Sequence, residues 1–212
     1  MADMEELVNA MVEIEEDKVY NLVKTLLEGG TPAEDIINSL RKGVQIIGEK
    51  FECKDYFLTE LVMGGEMFTQ AAELIKASMK AGDTSKKIGT IVVGTVTGDV
   101  HDIGKNIFST LCESAGFEVH DLGVDVSVEK FVEVIKEVKP QVVGYSGLLT
   151  IAMDGMKAIT EALKTEGLRD GLKIIIGGLP VDEAWQEIAG ADANTQSAFE
   201  GLKIAKQWVG AE

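Results

Sequence analysis

Residues 88–106 read IGTIVVGTVTGDVHDIGKN, and the change of pattern inside this stretch decides the fold. Ile88–Val96 is a short β-branched run, the composition of a strand covered on both faces. After a polar loop, Ile103–Ala115 shows the three- and four-residue apolar spacing of a helix. The same alternation continues outward along the chain. Strand-like runs recur at Glu118–Leu122, Gln141–Tyr145 and Lys173–Ile176, with a weaker fifth near Ala191–Asn194. Amphipathic segments at Ser127–Val138, Ile151–Thr165, Val181–Ile188 and Gln196–Val209 separate and follow them. This order predicts an α/β domain over residues 88–212, a doubly wound parallel five-stranded sheet with helices on both faces. Ser127 is expected to cap one helix and Gly116 to end another. In such a sheet ligands bind outside the carboxyl ends of the strands, so the loops after Val96, Tyr145 and Ile176 are where chemistry belongs.

Upstream, the period is helical throughout residues 3–80. Leu7, Met11 and Ile14 mark a first helix; Val19, Leu22, Val23, Leu26 and Leu27 mark a second that stops at Gly29-Gly30. Thr31-Pro32-Ala33-Glu34 offers an N-cap, a proline at the first helical position and a capping-box acid for a third helix running to about Phe51. A fourth is expected from near Tyr56 to Met79. Four helices with short connections make a small bundle. Ala81-Gly82-Asp83-Thr84-Ser85 is small, polar and aperiodic, which divides the chain into a helical domain at 1–81, a linker at 82–87 and the α/β domain at 88–212.

Composition narrows the function. The 212 residues carry 20 basic and 36 acidic side chains, a net charge of -16, shared equally between residues 1–86 and 87–212. Without a basic stripe, no nucleic-acid partner is expected. The acidic start MADMEELVNAMVEIEED is unlike a secretory signal, and apolar runs such as Ile91–Val93 fall far short of the ~20 residues of a membrane span, so no membrane partner is expected either. Cys53 and Cys112 form no CxxC pair and suggest neither a disulfide framework nor a thiolate zinc site. A reducing, cytoplasmic location follows as an expectation.

The loop after the first strand is Thr97-Gly98-Asp99-Val100-His101-Asp102-Ile103-Gly104-Lys105-Asn106. A phosphate-binding loop would need four residues between its glycines and a hydroxyl residue after the lysine; here five residues separate Gly98 from Gly104 and Asn106 follows Lys105. The dinucleotide Gly-x-Gly-x-x-Gly pattern is also missing. What remains is a histidine at a strand end with carboxylates two residues before it and one after. One reading is a surface ion pair in a capped loop. The other is a metal-binding imidazole whose second nitrogen is held by Asp99. Zinc would require further ligands, and His120 is the one other histidine. A metal with its own equatorial ring would need only His101.

Asp99-Val100-His101-Asp102-Ile103-Gly104 matches the D-x-H-x-x-G motif of cobalamin-binding domains, with Ser146-Gly147-Leu148 as the companion S-x-L element and Gly177-Gly178 as the G-G element. Across nearly its whole length the chain resembles the corrinoid proteins of methyltransferase systems and is similar to the cobalamin module of methionine synthase. The resemblance implies a Rossmann-like, flavodoxin-like cobalamin-binding domain in which His101 takes the lower axial position on cobalt, supported by Asp99, and the displaced benzimidazole tail enters a slot in the domain. Gly98, Gly104, Gly147, Gly177 and Gly178 would allow close approach of the tail, and Ser146 and Thr150 would hydrogen-bond its buried end. Val100, Asp102, Ile103 and Leu148 complete the expected contact set. Where the methionine-synthase module has a second serine in its His–Asp relay, Ala152 stands here, which leaves the proton path beyond Asp99 open.

The same resemblance makes the four helices a cap over the upper face of the corrin, with Phe51 and Leu58 as cap contacts, although periodicity alone would put both in the bundle core. Cys53, Met63 and Met67 carry no signal beyond packing. The implied function is a methyl-carrier corrinoid protein whose cobalt cycles between Co(I) and methyl-Co(III) forms. It would receive a methyl group from a C1 substrate through a donor-specific methyltransferase and pass it to an acceptor methyltransferase for tetrahydrofolate or a thiol, with a reductive activase as a further partner. A proton on the His101–Asp99 pair would favour Co(I), and a hinge near Gly82 would let the cap swing away. A cobalamin-dependent sensor would need an output module with basic charge. The small subunit of an adenosylcobalamin mutase would not need the helical residues 1–80. A cofactor-free response-regulator domain would want an aspartate where Tyr145-Ser146 stands.

Overall fold

The computed structural model describes residues 4–78 and 87–211. The chain divides into two compact units, residues 1–86 and 87–212. The expected linker and its hinge at Gly82, like the expected helix end at Met79, lie outside the described residues apart from Lys87.

The first unit contains helices α1 (Met4–Val12), α2 (Glu16–Glu28), α3 (Ala33–Glu52) and α4 (Leu58–Ser78). Leu7, Met11, Val19, Val23, Ile36, Leu40, Ile47, Ala71 and Ile75 bury one stripe of each helix against the others. Two glycines set how closely the helices cross. A β-carbon on Gly43 would stand 2.5 Å from the β-carbon of Met11, and one on Gly64 would stand 2.6 Å from Cδ1 of Ile47. Two local expectations need correction. Helix α1 ends at Val12, and Ile14 lies beyond it with φ of 57°. Pro32, not Thr31, occupies the cap position of α3, at ψ of 134° and with no side-chain cap. The Thr31 amide instead closes α2, donating to the Leu26 carbonyl at 3.0 Å, so it is not open to the Glu34 side chain as a capping box would require.

The second unit alternates strands and helices: β1 (Gly89–Thr95), α5 (Ile103–Ala115), β2 (Phe117–Asp121), α6 (Val128–Val138), β3 (Val142–Ser146), α7 (Ala152–Thr165), β4 (Lys173–Gly177), α8 (Glu183–Ala189), β5 (Ala193–Thr195) and α9 (Ala198–Val209). The five strands are parallel in the order β2-β1-β3-β4-β5. Period-two alternation sends Val92, Val96, Tyr145, Ile174 and Ile176 toward α6, α7 and α8, while Ile91, Val93, Val142 and Ile175 face α5 and α9. Both faces are therefore dry, as the β-branched runs require. Ser127 caps α6 by accepting from the Lys130 amide at 3.3 Å, and Gly116 ends α5 at φ of 102°. In this strand order the crossovers reverse direction between β1 and β3, so the crevice at their carboxyl ends is the natural ligand position.

Candidate functional site

At that crevice, Val96 leads from β1 into a turn in which Gly98 has φ of 82°. The turn drives Asp99 inward until it is fully buried. Its carboxylate is surrounded by donors. One oxygen accepts the His101 amide at 3.0 Å and the His101 ring Nδ1 at 2.7 Å. The other accepts the amides of Leu148 at 2.6 Å and Leu149 at 2.9 Å, from the loop after β3. Burial alone would push the Asp99 carboxyl up, but the amides of Leu149, His101 and Leu148, together with the ring, hold it far below the usual carboxylate range.

An ionised carboxylate can only accept, so the ring nitrogen facing it carries the hydrogen. His101 is thereby fixed in the Nδ1–H tautomer, and its Nε2 lone pair is directed away from Asp99, on a ring whose side chain is 49% exposed. The relay beyond Asp99 needs no hydroxyl, because two backbone amides fill the second carboxylate oxygen. Ala152, fully buried at the start of α7, packs against the Gly147 backbone instead.

The expected glycines separate into two kinds. Gly147 and Gly178 are required by the protein itself: a β-carbon on Gly178 would stand 1.9 Å from the Gly147 carbonyl oxygen, and one on Gly147 would stand 2.4 Å from the Ala152 β-carbon. These two loops are also joined by the Gly147 amide, which donates to the Gly177 carbonyl at 3.0 Å. Gly104 is different. It lies in the first turn of α5 with nothing within 4 Å of a β-carbon placed there. Gly177 likewise meets only one atom, at 3.7 Å. The hydroxyls of half-buried Ser146 and exposed Thr150 make no hydrogen bond among the described residues.

Around this polar centre stand exposed apolar side chains: Val100, Ile103, Leu149, Ile151 and Leu179. Asp102, half-buried, accepts from the Asn106 side chain at 3.1 Å, and Leu148 is half-buried beside Asp99. His120 does not join the group; its ring faces Glu118 at 3.7 Å on the edge strand. Among the described residues no three His, Cys, Asp or Glu side chains converge as a metal cage. One oriented imidazole, an open glycine edge, free hydroxyls and an apolar rim fit a metal that brings its own organic ring.

On the helical unit, neither Phe51 nor Leu58 belongs to the buried core. Phe51 is half-buried in the last turn of α3, and Leu58 is exposed at the start of α4. Periodicity missed the neighbour that stands out furthest, Phe57, whose residue surface is 75% exposed; it precedes α4 and so has no helical partner in the pattern. Met63 is exposed too, unlike Met67, so only the latter is a packing residue. Sequence reasoning also missed Lys105, which is buried and ion-paired with Asp121 at 2.5 Å. Its position directly after the motif glycine was the available signal.

Comparison with known proteins points the same way. A B12 binding domain family model matches residues 89–203, and a second B12 binding domain model matches residues 4–76. The chain is 42% identical over 204 residues to dimethylamine corrinoid protein 2 of Methanosarcina acetivorans, covering 96% of this chain and 94% of that protein. Among solved structures, it resembles a cobalamin-binding protein from Desulfitobacterium hafniense with TM-score 0.78 and 40% identity, covering 98% and 99% of the two chains. It also resembles the methanol:cobalamin methyltransferase complex MtaBC from Methanosarcina barkeri with TM-score 0.87 and 28% identity, over 97% of this chain and 79% of that one.

Proposed function

The chain belongs to the B12-binding corrinoid proteins, binding a corrinoid and carrying methyl groups for methyltransferases, and from that premise we propose that His101 would hold the cobalt through Nε2. The observation that carries the assignment is the pair made by His101 and the buried Asp99, which leaves Nε2 as the free lone pair. When bound, the corrinoid supplies a cobalt that accepts a methyl group and gives it up. The residues of this chain do the rest.

Asp99 holds the imidazole plane and keeps the Nδ1 hydrogen in place, which leaves Nε2 as the nitrogen that would ligate a metal. Because Asp99 is already saturated with donors, a proton taken up by the pair goes to Nε2 and not to the carboxylate. An imidazolium so formed stays paired with Asp99, and its Nε2 is no longer a ligand. Protonation at that one atom would thus decide whether His101 can hold the metal. Gly98, Gly104 and Gly177, with the hydroxyls of Ser146 and Thr150, would receive the nucleotide tail. Val100, Asp102, Ile103 and Leu148 would line its approach, and Gly147 with Gly178 would keep the two loops close enough to form it.

The helical unit takes the part of the cap. In favour of this, Phe57, Leu58, Val62 and Met63 present exposed apolar surface at the start of α4, with Phe51 half-buried at the end of α3. The carrier works with methyltransferase partners; a donor-specific one, an acceptor-specific one and a reductive activase complete the proposal, as does a cytoplasmic location, which the two unbridged cysteines support.

Reconstitution with cobalamin tests the assignment. The wild type is expected to take up the corrinoid with the visible spectrum of an imidazole-ligated cobalt, and His101→Ala is expected to shift that spectrum to the form without a protein ligand. Identical spectra for the two proteins would overturn it.

A further inference from the structure

We propose that Asp125, in the loop between β2 and α6, is a positioning residue that fixes the turn carrying Asp99 and His101; the inference rests on the ligand assignment above. Asp125 is exposed and has φ of 51°, a left-handed conformation that few side chains other than Asn and Asp adopt readily. Nothing about α6 requires it there, because Ser127 performs the capping.

Two hydrogen bonds tie it to the motif turn. The Gly98 amide donates to Asp125 Oδ1 at 2.7 Å, and the Asp125 amide donates to the Asp99 carbonyl at 3.0 Å. Two left-handed residues, Gly98 at 82° and Asp125 at 51°, thus meet across a sequence gap of 27 residues: the Gly98 amide donates to the Asp125 side chain, and the Asp125 amide donates back to the carbonyl of the next residue, Asp99. On the strand side the clamp continues: Thr97 Oγ1 donates to the Val126 carbonyl at 2.8 Å, and the Val126 amide donates to the Thr95 carbonyl at 3.0 Å.

The consequence for His101 is geometric. Asp99 is gripped at its carboxylate by the loop after β3 and at its carbonyl by Asp125. The ring and amide of His101 are both bonded to Asp99, so a shift of the Asp99 backbone moves the imidazole with it. The amides of Leu148 and Leu149 fix only the inner end of this lever. Asp125 fixes the outer end, and backbone strain held at such a position is characteristic of a functional constraint.

Three substitutions separate the side chain from the backbone. Asp125→Asn keeps both an acceptor oxygen and tolerance of the left-handed region. Asp125→Gly keeps the conformation and removes the acceptor. Asp125→Ala removes both. In the protein without corrinoid, hydrogen exchange at the Gly98 amide is expected to quicken by about tenfold in the Gly and Ala variants and to stay near wild type in the Asn variant. In the cobalamin-loaded full chain, the imidazole-ligated fraction read from the visible spectrum is expected to fall in the Gly variant and to be restored in the Asn variant. Either wild-type exchange or a wild-type spectrum in Asp125→Gly would overturn the proposal. If His101→Ala alters the spectrum while Asp125→Gly does not, only the role of Asp125 falls; if His101→Ala is silent, the ligand assignment falls with it.

Discussion

The ammonium of Lys105, with 2% of its side chain exposed, meets the carboxylate of Asp121 at 2.5 Å, joining the first turn of α5 to the end of β2. Asp121 also accepts from Ser109 Oγ at 3.2 Å and from the Gly123 amide at 2.8 Å. Lys105→Met keeps most of the volume and leaves Asp121 with those weaker partners and with water. A loss of about 2 kcal/mol in unfolding free energy is expected. Adding Asp121→Asn is expected to cost less than the sum of the single changes, because the two groups are coupled. Denaturant unfolding of the protein without corrinoid measures both.

Two glycines of the site are expected to respond with opposite sign. Gly178→Ala places a β-carbon against a backbone oxygen at a φ of 145°, so the loops after β3 and β4 must separate and the unit should lose about 4 kcal/mol or fail to fold. Gly104→Ala meets open space inside a helix and should stabilise the corrinoid-free protein by up to about 1 kcal/mol. The same methyl group would stand where the cofactor is proposed to approach, so corrinoid affinity should fall. Thermal melting and equilibrium binding of cobalamin check the pair of outcomes.

Acid titration should expose Asp99. Its folded-state carboxyl lies far below the ordinary value of 3.8, so its contribution is fully present above that value and is lost as pH falls toward the folded one. Asp99→Asn puts an amide among donors and is expected to destabilise by about 3 kcal/mol at neutral pH. The gap between variant and wild type should narrow below about pH 4. Asp192 is the control. Burial opposes its ionisation, but the Ile174 amide, Lys173 and Arg169 hold its carboxyl low, and its partners lie at the start of β4 and the loop before it. Asp192→Asn should alter the acid limb of stability and leave the cobalamin spectrum unchanged.

Phe57→Ser should leave the stability of the helical unit within about 0.5 kcal/mol, since the ring is 75% exposed, whereas Ile47→Ala should cost about 3 kcal/mol in the buried core. If the exposed apolar surface serves the cap, the reduced corrinoid in Phe57→Ser should be oxidised by air faster than in the wild type. Equal oxidation rates would count against that role.

The strand and helix alternation was legible because each strand buries both faces and each helix one, and the residues that do this are adjacent in sequence. The strand expected at Lys173–Ile176 from the isoleucine run is β4, which extends one residue further to Gly177. In the motif loop, residue type left a surface ion pair and a metal-binding imidazole both open, and only the resemblance of Asp99–Gly104 to the D-x-H-x-x-G motif separated them. What could not be read depends on partners far away in sequence. Nothing in Leu148 or Leu149 announces that their amides will fill an oxygen of Asp99, because any residue supplies an amide. Asp125 reads as one more loop acid until its left-handed backbone is known. Thr31 carried the proper capping chemistry, yet its amide closes the preceding helix and Pro32 stands at the cap position of α3.

The two halves of the Asp99 clamp lie 49 and 50 residues apart. During synthesis the aspartate leaves the ribosome well before Leu148 and Leu149 exist, and until β3 arrives its charge must remain solvated by water. Until then the His101–Asp99 pair has its local contacts but no anchor to the sheet. A chain ending before β3 lacks the donors of Leu148 and Leu149 that tie the His101–Asp99 pair to the sheet.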